Sequence, residues 1–316
     1  MSRSAKIWLV AATLLVVIGA VTVAAVMTVN HGSLAVLDTR TEKTYTVSED
    51  FDKISIRSFS EDIAFVHTDD SESRVVCFTD KNTSCDVNVN DGTLVININN
   101  IKKWYENISF SSGSQRITVY LPKAAYTSLL IDGSAGDVTV PDNVSFGDVD
   151  ISVSTGDVTI RSDVPGAIKI MLSTGETDIS GITAGNIRIK TSTGKIRITD
   201  TVCFGMTDIT VTTGDVTVDG FTGGELISSG NTGDITLVDA CFSGDISVER
   251  STGDVKLRRF DAANISIKTT TGTVKGDILS PKIFLTETST GNIRVPRSTS
   301  GGKCKITTST GDIIIE

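Results

Sequence analysis

The sequence predicts an all-β protein: a single-stranded parallel β-solenoid with about 19–20 residues and two strands per coil, behind an N-terminal transmembrane helix. Three observations lead there. A charge-free apolar run opens the chain, and a glycine recurs at near-constant spacing through its second half. On both sides of each such glycine, apolar residues alternate with polar ones.

The apolar run is Ile7–Val29, 23 residues preceded by Arg3 and Lys6. As a helix it is long enough to cross a hydrocarbon core of about 30 Å. Positive charge on the short N-terminal side keeps that side cytoplasmic. The chain then divides into a cytoplasmic tail at 1–6, an anchor at 7–29, a juxtamembrane linker at 30–50 and an extracytoplasmic remainder. A cleaved signal peptide ending near Ala24 and Ala25 is the competing reading, but the apolar region of a signal spans about 7–15 residues. Setting aside Arg3 and Lys6 from the 29 basic residues leaves 27 against 38 acidic ones, a net charge of −11. An acidic balance of that size argues against nucleic acid and anionic lipid surfaces as partners.

From Gly136 to Gly311 the recurring glycines are Gly136, Gly156, Gly175, Gly194, Gly214, Gly233, Gly253, Gly272, Gly291 and Gly311, every interval being 19 or 20 residues. Apolar residues stand at the second and fourth places after the glycine, as in Val158 and Ile160 or Ile235 and Leu237. A second pair stands seven and five places before the next one, as in Ile168 and Ile170 or Ile265 and Ile267. Period-two spacing is that of a strand with one buried face, and no 3.6-residue stripe survives it. A second glycine (Gly147, Gly166, Gly185, Gly205, Gly224, Gly244) marks the middle of many units. One such unit cannot bury its own apolar face, so the units stack, each strand pairing in parallel with its equivalent in the next coil. At about 4.8 Å per coil, nine intervals make a rod segment of about 43 Å, right-handed by the general preference of parallel crossovers. The pattern weakens at Leu226–Gly230, at Ile283–Thr286 and at Gly276, which reads as bulges or local distortions.

Residues 51–132 lack the strict repeat but still read as strands, at Ile54–Arg57, Ile63–His67, Val75–Phe78, Leu94–Ile98, Ile117–Leu121 and Leu129–Ile131. They form an irregular opening section and cap, ahead of the regular repeats at 133–316. The five cysteines include Cys77 and Cys85, eight residues apart, which either close a disulfide or serve as two small buried hydrophobes.

The serial units Ser154–Ile160, Ser251–Leu257 and Ser309–Ile315, with Arg116–Pro122 ahead of them, resemble the bacterial DUF4097 family, which is labelled a putative adhesin. The resemblance covers roughly residues 50 to 316. It implies a β-solenoid in envelope proteins, many of them anchored and some tied to envelope-stress operons, and it brings no catalytic residues.

Acidic residues follow many of the turn glycines (Asp137, Asp157, Glu176, Asp215, Asp234, Asp254, Asp312) and could line a cation ladder. Lys195, Thr273 and Asn292 interrupt the series, and aspartates that bond turn backbone explain it better. Threonine precedes nine of these glycines, a hydroxyl column that pins register. The outward Lys169, Arg188, Lys190, Lys268 and Lys305 suggest a basic stripe, broken by Asp150, Asp208 and Glu249. Trp104 and Tyr105, in the one conspicuous insertion, either fold over an open end of the solenoid or stack on a sugar or partner. The final residues, Ile313, Ile314 and Ile315, read as an unpaired edge where a second copy or an envelope protein pairs.

These features predict a membrane-anchored extracytoplasmic binding or scaffold protein, single-pass in the cell membrane, an adhesin or an envelope-stress accessory. Its expected partners are an envelope protein, a cell-surface polysaccharide or a second copy through the C-terminal edge. No catalytic residue, cofactor or metal ligand is expected. A passive spacer rod is the alternative. A carbohydrate-active β-helix enzyme, for which Glu176 and Asp178 are the available carboxylates, has the least support.

Overall fold

The computed structural model describes residues 41–79, 83–100 and 115–316, together with residues 12–13, 15–17 and 19, which are helical. Most of the anchor expected at Ile7–Val29, together with Trp104 and Tyr105, lies outside the described residues. Among those described, no helix is long and apolar enough to cross a membrane. All the strands belong to one compact unit, Thr41–Ile101 with Ser114–Glu316.

That unit is a β-solenoid whose strands join in one hydrogen-bonded network. The alternation read from the sequence is the alternation of the pleat. Ile151 pairs in parallel with Ile170 and Ile170 with Ile189, all three almost fully buried. Val158 follows Val138, and Ile196 is followed by Val216, in the column on the other side of the turn. The core is therefore largely a stack of small aliphatic layers, with Phe146, Phe221 and Phe260 as its most deeply buried aromatics.

The turn glycines stack directly on one another. Gly194 has φ +150°, and a Cβ there would fall on the carbonyl oxygen of Gly175 in the preceding coil. Only glycine tolerates both that conformation and that approach. The turn amide of each coil is taken up by the next: Gly175 N–H donates to the Thr193 carbonyl at 3.0 Å and Gly194 N–H to Thr213 at 3.0 Å.

The opening section contains seven strands: β1 (Thr41–Val47), β2 (Lys53–Ser58), β3 (Glu61–His67), β4 (Ser73–Thr79), β5 (Thr83–Asn90), β6 (Thr93–Asn100) and β7 (Gln115–Leu121). Strand β1 lies in the stretch 30–50 expected to be a linker, so that expectation is corrected: 41–47 is paired antiparallel to β4. The β2–β3 coil pairs with β6 and β7 on one side and with Ala125–Ala135 and Val138–Val140 on the other. Strand β4 runs antiparallel to β7 and β5 antiparallel to β6, which finishes this end of the stack with a cap. Cys77 and Cys85 are disulfide-bonded within it and join β4 to β5.

At the other end the coils are not stacked in sequence order. Gly302–Thr310 lies between Ile265–Thr271 and Lys282–Thr290. Likewise Ile313–Ile315 lies between Val274–Ile278 and Ile293–Arg294. The Gly311 coil is therefore inserted beneath the Gly291 coil. This corrects the expectation that Ile313, Ile314 and Ile315 form the open edge: Ile313 and Ile315 are buried, and the strand has a neighbour on each side.

Of the three places where the pattern weakens, one is a bulge. Register shifts beside Gly276, between Leu257 and Phe260. Leu226–Gly230 keeps unbroken register with Ile246–Arg250. There the alternation lapses because Arg250 points inward, and a Cβ at Gly230 would crowd its guanidinium. Lys282–Thr290 is also in register, with Phe284 against Cys304 and Thr286 against Ile306. Its apolar residues Ile283 and Leu285 simply face outward.

Candidate functional site

The turn carboxylates are committed to the backbone. Asp157 N–H donates to Asp137 Oδ1 (2.8 Å), Glu176 N–H to Asp157 Oδ1 (2.7 Å), and Asp254 N–H to Asp234 Oδ1 (2.9 Å). Each aspartate thus accepts the amide of the equivalent residue one coil on, which explains why the sequence needs a short acceptor at this position. Asp234 also takes Lys256 Nζ at 2.7 Å, and that hydrogen bond holds its carboxyl below the usual range. Among the described residues no group of three or more His, Cys, Asp and Glu is placed to hold a metal ion.

Three of the five basic residues of the outer face are paired across coils. Lys169 meets Asp150 (2.8 Å), Arg188 meets Asp208 (3.2 Å) and Lys268 meets Glu249 (2.8 Å). This face is a mixed ladder in which acidic partners break the basic stripe. Asp178, one of the two candidate carboxylates for an enzyme, is held by Arg161 at 3.0 Å.

A groove of about 600 Å³ runs along the mid-coil corner, lined by Val202, Phe204, Thr222, Cys241, Phe242 and Ala263 among others. Its origin lies in two adjacent columns of the corner. Val164, Ala184, Cys203, Gly223, Phe242 and Ala262 stand in register in successive coils. The residue following each is Pro165, Gly185, Phe204, Gly224, Ser243 and Ala263. Five members of that second column are small or rigid, so the corner is indented. Phe204 is the exception, 74% exposed, with Val202 beside it at 38%. At the far end Lys282, almost fully buried, places its Nζ 2.7 Å from Asp261 Oδ1 and donates to Ser280 Oγ at 2.6 Å. Burial pulls the Asp261 carboxyl up, but its bonds to Lys282 and Ser280 outweigh this and hold it below its ordinary value.

The periodic core and capped N-terminal end described above coincide with a match to a family model over residues 51–316, described as Toastrack DUF4097. The chain belongs to that family. Three solved structures are similar over nearly their whole length. One is a putative adhesin from Bacteroides fragilis, 16% identical, with 88% of this chain and 97% of that one covered and a TM-score of 0.44. A putative adhesin from Parabacteroides merdae is 10% identical, with 89% and 97% covered and a TM-score of 0.47. A putative lipid binding protein from Parabacteroides distasonis is 18% identical, with 89% and 98% covered and a TM-score of 0.35. No curated protein matches the chain.

Ile313–Ile315, singled out in the sequence for interaction, is enclosed between two strands of the stack. The groove escaped the sequence reading because its members are 19 or 20 residues apart and individually unremarked. Its one legible signal is Phe204, a large apolar residue in a column that is otherwise glycine, proline, serine or alanine.

Proposed function

We propose that this chain is a membrane-anchored extracytoplasmic β-solenoid that works by binding, as a scaffold whose side groove receives an apolar segment of an envelope protein. The single observation that carries this reading is Phe204, three-quarters exposed on a rigid corner beside a preformed apolar groove. Large exposed aromatics of this kind anchor protein contacts. A protein segment suits the groove better than a polysaccharide, because its charged and hydroxyl groups at the Lys282 end are already bonded to one another. Two further features support an exported location. The Cys77–Cys85 disulfide fits an oxidising compartment, and the charge-free run Ile7–Val29 fits a retained anchor.

The test places a photo-reactive amino acid at Thr222, on the groove wall, in the full chain in its native membrane. A discrete adduct to one envelope protein is expected, and Phe204→Ala should weaken it by about tenfold or more, the loss of one buried aromatic anchor. Absence of any discrete adduct from a folded chain would favour a passive spacer rod.

A further inference from the structure

The two ends of the solenoid are finished differently. At the N-terminal end the outermost strands β1 and β5 run antiparallel to their neighbours and carry Glu42, Lys43, Asp86 and Asn88. Charged and polar residues of this kind blunt an edge. At the opposite end the Gly291 coil, formed by Lys282–Thr290 and Ile293–Arg294, is paired on one side only among the described residues.

Its outward positions are also apolar. Leu285, 54% exposed, follows Lys305, Ser266 and Ser247 in its column, where Ile227 at 42% and Leu130 at 48% are the other exposed apolar members. Ile283 stands in line with Lys303 and is 38% exposed. Ile293 aligns with the buried Ile313 but is 46% exposed, because no described strand lies above it. Apolar side chains thus surround unpaired strand edges, the combination that soluble proteins avoid unless the edge is used.

We propose that this end binds the same end of a second copy about a two-fold axis across the rod. An extended peptide could pair with one edge. This end, however, offers two edges, with core-facing Phe284 and Val295 between them. One added strand would satisfy a single edge and leave the other edge and the core end in water. The same end of a second copy carries both edges at the same separation, so one two-fold rotation pairs both and covers the core. Charge agrees with this. The coil carries exposed Glu287 and Arg294, opposite in sign, so this end is not uniformly acidic. Elsewhere the chain, at −9 overall, repels its own copies.

The experiment places a photo-reactive amino acid at Ser289 of the full chain in its native membrane, with the same probe at Thr159, mid-rod, as control. An adduct of two chains from Ser289 and none from Thr159 is the expected result. Ile283→Lys with Leu285→Lys, both at exposed sites, should leave the circular dichroism spectrum unchanged. It should weaken the association by about 100-fold, through like charges facing across the two-fold axis. An adduct to a different protein, an adduct within one chain, no adduct at all, or a two-chain adduct that survives both lysines would each overturn the proposal.

Discussion

Arg250 lies inside the solenoid, 1% exposed, where neighbouring coils present Gly230 and Thr269. Its guanidinium donates to Ser228 Oγ (2.9 Å) and to the Glu249 carbonyl (3.0 Å), while Nε has no partner among the described residues. Burial lowers its pKa well below the ordinary arginine value, to about 10, equivalent to a cost of about 3 kcal/mol at neutral pH. Because the folded value is the lower one, the unfolded chain binds more protons from about pH 10 up to the ordinary arginine range, so this residue's penalty fades as pH rises above about 10. Arg250→Met keeps most of the volume and removes the charge. It should raise the unfolding free energy by about 1–3 kcal/mol in urea titrations at pH 7. A decrease would mean that the two hydrogen bonds outweigh the desolvation. Ser228 and Gly230 are thus best understood as the room made for one arginine.

At the scale of the coil, the recurring glycine was legible because one physical requirement acts on every repeat: backbone meets backbone at the turn. Gly194→Ala should cost more than about 3 kcal/mol, since it adds both positive-φ strain and a collision with Gly175. Gly181, at φ +67° with open space around its Cβ position, isolates the conformational part, and Gly181→Ala should cost about 1 kcal/mol. Equal losses in denaturation midpoint would refute the role given to close approach. The same pattern says nothing about which coil neighbours which. The steps from Gly272 to Gly291 and from Gly291 to Gly311 are 19 and 20 residues, like all the others, so the exchange of the last two coils leaves no mark on the spacing. What did mark it was Ile283 and Leu285, apolar at outward positions, which periodicity alone reads as a slip of register. Strands β1 and β5 were missed for a related reason. Both lie outside the 19-residue period: β5 alternates Cys85, Val87 and Val89 with Asp86, Asn88 and Asn90, a strand signal the sequence reading passed over, whereas β1 offers only Tyr45 and Val47.

At the scale of the whole rod, the two ends are interleaved. The β2–β3 coil sits between β6–β7 and the Gly136 coil, and the Gly311 coil sits between the Gly272 and Gly291 coils. Removing residues 298–316 should therefore do more than shorten the rod. It takes away the only described neighbour of the Gly291 coil, so limited proteolysis of the truncated chain should trim it back to about Thr271–Ile278. Protection of Lys282–Arg294 in that variant would show that the coil stands without Gly302–Ile315. The interleaving also sets an order of docking as the chain is made. From Gly136 to Gly272 each coil can dock on its predecessor as it emerges. The Gly291 coil emerges next and finds its docking site only after the segment behind it has slid in between. The Gly291 coil is therefore held in place by a segment that follows it in the chain, and this end of the stack cannot be unwound coil by coil in reverse sequence order.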